Sequence, residues 1–187
     1  MTTQLDQPTQ NYPSWVNDEN TRSYFTDEWG NVERTPSGIF EQMCLMTFQI
    51  GLTFSTVLKY RAGLRRTLVE FDIEECAKLS DQQLDEALKN TDIIRNKNKL
   101  LACRNNARVI VEHQIDLSVL FEEYFGAIEE VHDIAELPKT CAESDQLARM
   151  LKKIGVSYCG TTSLCSVAQS LGYFGTFQST EHFPEPR

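Results

Sequence analysis

The sequence predicts an all-α protein. Three observations carry that reading. Apolar residues recur every three or four positions along most of the chain. No alternating run is long enough to build a sheet. Ser, Asp and Gly stand where helices begin and stop. A chain of 187 residues holds one such domain. Residues 1–11 are polar and are expected to be a disordered lead-in, with 12–187 forming a single helical domain.

The elements follow in order. Ser37 precedes Glu41 and an apolar run, so it is expected to cap a helix with Phe40, Met43, Cys44 and Phe48 inward. Gly51-Leu52 interrupts that run. Phe54 to Phe71 resumes it through Val57, Leu58, Leu64 and Leu68. Asp72 to Leu79 reads as a short helix, and Ser80 caps the next, with Leu84 and Leu88 inward. Asn96 to His113 is a long amphipathic helix, and Leu117 to Phe125 a short apolar one. Pro138 marks a break before a helix from Ser144 to Ile154. The last helix runs from Thr161 to Leu171, with Gly172 as its stop. From Tyr173 onward the pattern is irregular.

Composition bounds the function. No apolar run approaches the roughly eighteen residues a spanning helix needs, so no membrane partner is expected. With no signal-peptide pattern at Met1 to Gln10, a cytoplasmic protein is expected. The six cysteines form no C-x-x-C pair and are expected to be buried free thiols. The net charge of −9 opposes generic nucleic-acid affinity. Cations nevertheless gather in acid-free runs: Lys59, Arg61, Arg65 and Arg66, then Arg95, Lys97, Lys99, Arg104 and Arg108. A smaller group is Arg149, Lys152 and Lys153. Charge alone favours reading these runs as solvated helix faces.

Between the last two helices, Gly155-Val156-Ser157-Tyr158-Cys159-Gly160-Thr161-Thr162 makes a short turn with glycine at each end, as a positive φ there would need. The second helix begins at Gly160 and Thr161, where free N–H groups could hold a phosphate, with Lys152 and Lys153 just before. A turn of this kind also serves merely to pack two helices, and both readings stand.

The order of motifs narrows the choice. Trp15, Asp27-Glu28-Trp29-Gly30, Ile39-Phe40-Glu41, Gln49-x-Gly51-Leu52 and Thr56-Val57-Leu58-Lys59 are followed by Ile93-Ile94-Arg95-Asn96-Lys97-Asn98-Lys99. Asn105-Asn106-Ala107-Arg108, Gly155 to Thr162, Gln169 and Gly172 complete the series. Together they resemble the DNA-3-methyladenine glycosylase I (Tag) family of helix-hairpin-helix DNA glycosylases, over about residues 12–177. The resemblance implies the all-helical glycosylase fold, with its helix-hairpin-helix near 144–171. It implies an enzyme of base-excision repair that extrudes an N3-alkylated adenine from the duplex and hydrolyses its N-glycosidic bond. The implied partner is double-stranded DNA with an alkylated or flipped base, met by a monomer. The implied base pocket is Trp15, Tyr24, Met46 and Phe54. The implied DNA-binding residues are Gly51, Leu52, Lys153, Gly155, Gly160 and Thr161. Read without the family, Leu52 is equally a core leucine at a helix junction, and the three aromatics are an ordinary core.

Two departures from the family stand out. Its zinc ligands fall at Pro13, Phe25, Phe177 and about Glu181, which cannot hold the metal. Neither metal nor other cofactor is therefore expected, and Phe25 and Phe177 are expected to pack together instead. His113, His132 and His182 stand at no ligand spacing from a cysteine. The family's base-reading glutamate falls at Met46, so no catalytic residue is assigned. Thr176 stands where the family has an aspartate, and Asp27 and Glu28 look structural. Methionine packs on a ring but accepts no strong hydrogen bond. The alternatives to a glycosylase with altered or reduced activity are a non-catalytic damaged-DNA binding protein and a repurposed scaffold of the same fold.

Overall fold

The structure is a computed structural model that describes residues 12–175, and these form nine α-helices and no strand. The readings placed on residues 1–11, Thr176, Phe177, Glu181 and His182 lie outside the described residues. The helices are α1 (Glu19–Asp27), α2 (Pro36–Gln49), α3 (Phe54–Thr67), α4 (Ile73–Lys78), α5 (Asp81–Ala87), α6 (Lys97–Glu112), α7 (Leu117–Phe125), α8 (Ala142–Lys153) and α9 (Thr161–Ser170). No helix among them is long and apolar enough to cross a membrane.

The fold is built around α2. Every residue from Ile39 to Phe48 is buried. A helix apolar on all sides must be covered on all sides, and α3, α6, α7 and α9 all pack on it. The cysteines behave as small apolar residues: Cys44, Cys76, Cys103 and Cys165 are buried, Cys141 and Cys159 partly so, and all six are unpaired thiols.

Several boundaries differ from those read in the sequence. The first helix was not legible. Its opening turn, Glu19-Asn20-Thr21-Arg22, is polar, and Asp18 starts it through a reciprocal capping box with Thr21. The cap of α2 is Thr35 rather than Ser37: its side chain accepts from the Gly38 N–H, and Pro36 follows in the first helical turn. The helix from Phe54 stops at Thr67, and Val69, Glu70 and Phe71 form a tight turn with φ of 54°, 54° and 58°. The helix placed from Ser144 starts earlier, because Cys141 caps it and Ser144 completes that box from inside.

The basic runs are not solvated faces throughout. Arg61 and Arg65 pair with Glu41, Arg61 also with Glu28, Arg66 with Asp92, Lys97 with Asp85 and Arg104 with Asp81. Lys99 and Arg104 are buried. The acids that neutralise these runs come from other elements, so the sequence pattern could not reveal them. Burial opposes the charge of Arg61, but its hydrogen bonds to Glu41 and Glu28 outweigh that and hold it firmly protonated.

Candidate functional site

Four aromatic rings meet where α1, α2 and α3 converge. Tyr24 and Phe54 stand edge to face, with centroids 5.1 Å apart at 77°. Trp15 meets Phe54 at 6.0 Å and 80°, Tyr24 at 6.3 Å and 61°, and Trp29 at 6.0 Å. Edge-to-face pairs each add about 0.5–1.5 kcal/mol beyond their burial. The rings therefore form a stiff wall.

This wall encloses one side of a cleft of about 70 Å³, lined also by Met46, Gln49, Ser166, Gln169 and Ser170. All four residues expected to form the base pocket, Trp15, Tyr24, Met46 and Phe54, are thus brought together. Trp29 and the polar residues of α9 were not assigned to a pocket from sequence, although Trp29, Gln49 and Gln169 all stood in the quoted motifs. The volume is roughly half the ~150 Å³ that accepts benzene in an engineered cavity. A purine therefore needs a side chain to move. Met46, unbranched and freely rotating, is the most yielding part of the wall.

Among the described residues no carboxylate lines the cleft. Its polar groups include two amides, two serine hydroxyls and the phenol of Tyr24, and that phenol donates to Gln42 Oε1 at 2.8 Å. Burial holds the Tyr24 phenol protonated, so it acts as a donor and not as a base. Behind it, Arg61 lies 5.8 Å from the Tyr24 ring, locked to Glu28 and Glu41 at 2.7 Å each. Glu41 itself is absent from the cleft lining and is held in this pairing.

The aromatic cluster extends to Phe25, at one of the family's zinc-ligand positions. Phe25 stacks on Trp29 at 5.2 Å and meets Trp15 at 5.8 Å and Tyr12 at 5.7 Å. Among the described residues no group of His, Cys, Asp or Glu could hold a metal ion.

A tight turn stands at the rim of the cleft, since its two flanks, Gln49 and Phe54, both line it. The Leu52 N–H donates to Gln49 O at 2.8 Å, Ile50 takes φ −55° and ψ 114°, and Gly51 takes φ +77°. This is a type II turn, which demands glycine at its third position. Leu52 is 40% exposed and Ile50 48%, so Leu52 is not a core leucine. Ile50 escaped the sequence reading because nothing distinguished it from the apolar run before it.

The α8–α9 connection closes by a Schellman motif. The Val156 N–H reaches Leu151 O at 3.0 Å, the Gly155 N–H reaches Lys152 O at 3.1 Å, and Gly155 takes φ +104°. Gly160 differs from expectation. Its φ is −77°, which any residue adopts, and a Cβ there would meet nothing within 4 Å. Among the described residues no side chain caps the first amides of α9. Asn106 holds the turn from below, donating to Ser157 O at 2.9 Å and accepting from the Ser157 N–H at 2.8 Å. Thr161 Oγ1 lies 2.9 Å from Ser144 Oγ. Lys152, Lys153 and Arg149 are exposed. The same helix α9 that starts at this turn carries Ser166, Gln169 and Ser170 into the cleft.

A family model described as methyladenine glycosylase matches residues 15–180. DNA-3-methyladenine glycosylase 1 of Escherichia coli is 30% identical over 156 residues, covering 80% of this chain and 83% of that protein. The DNA-3-methyladenine glycosylase of Haemophilus influenzae is 30% identical over 165 residues, covering 84% and 89%. The crystal structure of a 3-methyladenine DNA glycosylase I has a TM-score of 0.75 at 29% identity, over 84% of this chain and 90% of that one.

Proposed function

Because the chain belongs to the methyladenine glycosylase family, we propose that it is a DNA glycosylase of base-excision repair. It hydrolyses the N-glycosidic bond of an alkylated purine such as 3-methyladenine. The observation that carries this reading is the ring-walled cleft, with the exposed turn at its rim and the α8–α9 turn at the head of the helix that completes it. The relatives' names specify the same reaction.

An adenine alkylated at N3 carries positive charge, which already weakens its bond to deoxyribose. The protein then needs to extrude, orient and stabilise the base while water attacks the anomeric carbon. Trp15, Tyr24 and Phe54 offer ring surfaces on which base stacking is worth about 1–3 kcal/mol, and their faces attract a cation. Met46 swings aside and packs its sulfur on the guest. Gln49, Gln169 and the serines read its edges without charge. With no carboxylate in the cleft among the described residues, catalysis rests on the lability of the substrate and on geometry. Activity is therefore reduced relative to a site holding an acid.

The substrate is duplex DNA, bound by a monomer in the cytoplasm. Leu52 and Gly51 meet the gap left by the extruded nucleotide. The open amides at Gly160 and Thr161, with Gly155 shaping their turn and Lys153 beside it, hold a backbone phosphate.

The test is release of free 3-methyladenine from N-methylated duplex DNA, read by chromatography against spontaneous loss. Release above that background is expected, and Phe54→Ala should abolish most of it. A wild-type protein that binds the duplex yet releases no base would sink the enzymatic reading.

A further inference from the structure

Lys99 occupies an unfavourable place in its own helix. It sits in the first turn of α6, where the positive end of the helix dipole repels a cation. It is 6% exposed and has no carboxylate partner among the described residues. Burial accordingly pulls its pKa down. Its partners are two backbone oxygens at the far end of another helix: Nζ donates to Phe48 O at 2.8 Å and to Ile50 O. An ammonium is well suited to that C-terminus, whose last carbonyls otherwise lack donors.

The second of those oxygens is special. Ile50 C=O belongs to the central peptide of the type II turn over residues 49–52. Types I and II differ by a rotation of that one peptide unit. A Cβ at Gly51 would meet nothing within 4 Å, so that side of the central peptide is open. The hydrogen bond to Ile50 O holds the peptide. The two side chains so fixed, Ile50 and Leu52, are among the few large apolar groups left exposed, and they flank a single glycine at the rim of the cleft.

We propose that Lys99 is a positioning residue for base extrusion: its ammonium locks the turn so that Ile50 and Leu52 form a two-pronged apolar wedge against the duplex. Ile50 is the second prong, filling the gap beside the extruded nucleotide together with Leu52. Lys99 touches neither DNA nor base and acts only through the turn. This rests on the reading of the chain as a glycosylase of duplex DNA.

A double-mutant cycle tests it. Lys99→Met keeps the alkyl stem and removes the donor. It is expected to lower kcat/KM on methylated duplex on the order of tenfold to a hundredfold, the scale of a misplaced positioning group. Release from methylated single strands and binding of free 3-methyladenine should stay within about twofold, because neither needs a wedge. Fluorescence of 2-aminopurine placed beside the lesion should report less unstacking. The Ile50→Ala/Leu52→Ala protein should lose a similar factor, and adding Lys99→Met to it should cost almost nothing more. Should Lys99→Met fail to fold, Lys99→Leu, which also removes the donor, takes its place. Losses that multiply, or that fall equally on single strands and free base, would overturn the role assigned to Lys99. A wild type that releases no base from either substrate would instead overturn the glycosylase reading, and this proposal with it.

Discussion

Tyr24 donates its phenolic hydrogen to Gln42 Oε1 at 2.8 Å, and Gln42 lies fully buried one helical turn before Met46. The other end of that amide, Nε2, has no hydrogen-bond partner among the described residues. One polar side chain in an apolar helix thus fixes a ring of the cleft wall while carrying an unpaired donor of its own.

Two opposed effects follow from replacing it. Gln42→Leu removes the acceptor of the Tyr24 hydroxyl, which costs about 1–3 kcal/mol, and removes a buried unpaired amide of similar cost. The expected net change in stability is within about 1 kcal/mol, while affinity for free 3-methyladenine falls as the ring loosens. Thermal melts and tryptophan quenching by the free base would measure both. A loss above ~3 kcal/mol would mean that Nε2 is bonded after all.

Met46 is the position at which a carboxylate would be most useful and least comfortable. Met46→Glu is expected to accelerate release of 3-methyladenine by about tenfold or more, the scale of one electrostatic stabiliser. It should also lower Tm, since an acid there is desolvated by the surrounding rings. Single-turnover release and melting curves check the two together. An inert Met46→Glu protein that still binds the free base would place the catalytic deficit elsewhere.

Glu41 holds two cations, Arg61 at 2.7 Å and Arg65 at 3.0 Å, with its side chain 8% exposed. Removing one partner of a largely buried pair leaves the other uncompensated. Glu41→Gln is therefore expected to cost about 3 kcal/mol, or roughly 6–12 °C in Tm for a domain of this size. Glu70, exposed and paired with Arg65, should matter far less: Glu70→Gln is expected within about 0.5 kcal/mol.

Phe25 stands at a position where the resemblance places a zinc ligand, and it stacks on Trp29 and meets Trp15 and Tyr12. Phe25→Ala should cost about 3–5 kcal/mol. A zinc chelator should leave the wild-type melting temperature unchanged. Stoichiometric zinc in the purified protein would contradict this account.

The thiols set the alkaline limit. Burial raises Cys76, Cys159 and Cys165 to about 12, and raises Cys44 and the Tyr24 phenol as well. A group whose pKa is raised on folding keeps its proton longer in the native state. Its contribution is complete below the unfolded value near 9 and is lost as pH rises toward 12. Stability should therefore fall from about pH 9 upward, measured by urea titration. Alkylation of these four cysteines should stay slow at pH 8 in the folded protein and become fast on unfolding.

The family resemblance, not the residue pattern itself, named Trp15, Tyr24, Met46 and Phe54 as a pocket, and all four line the cleft. What escaped has a common physical origin. Gln42 is a polar residue in a helix buried on every side, and periodicity cannot say where its amide points. Lys99 was read with the charged residues around it, because composition does not reveal that an ammonium caps another helix. Gly160 was credited with a positive φ it does not take. Helix α1 hid because its first turn is polar and its aromatic residues, Tyr24 and Phe25, come late.

The internal neutralisation of the basic runs has a consequence for how damage is found. Arg61, Arg65, Arg66, Lys97 and Arg104 already face acids of the same chain, and the molecule as a whole is anionic. Little mobile counterion would leave the polymer when such a surface approaches, so undamaged stretches hold it weakly. The search would then proceed by brief independent collisions, not by tracking along the double helix. Dwell time would come from the lesion itself, once the base has left the stack.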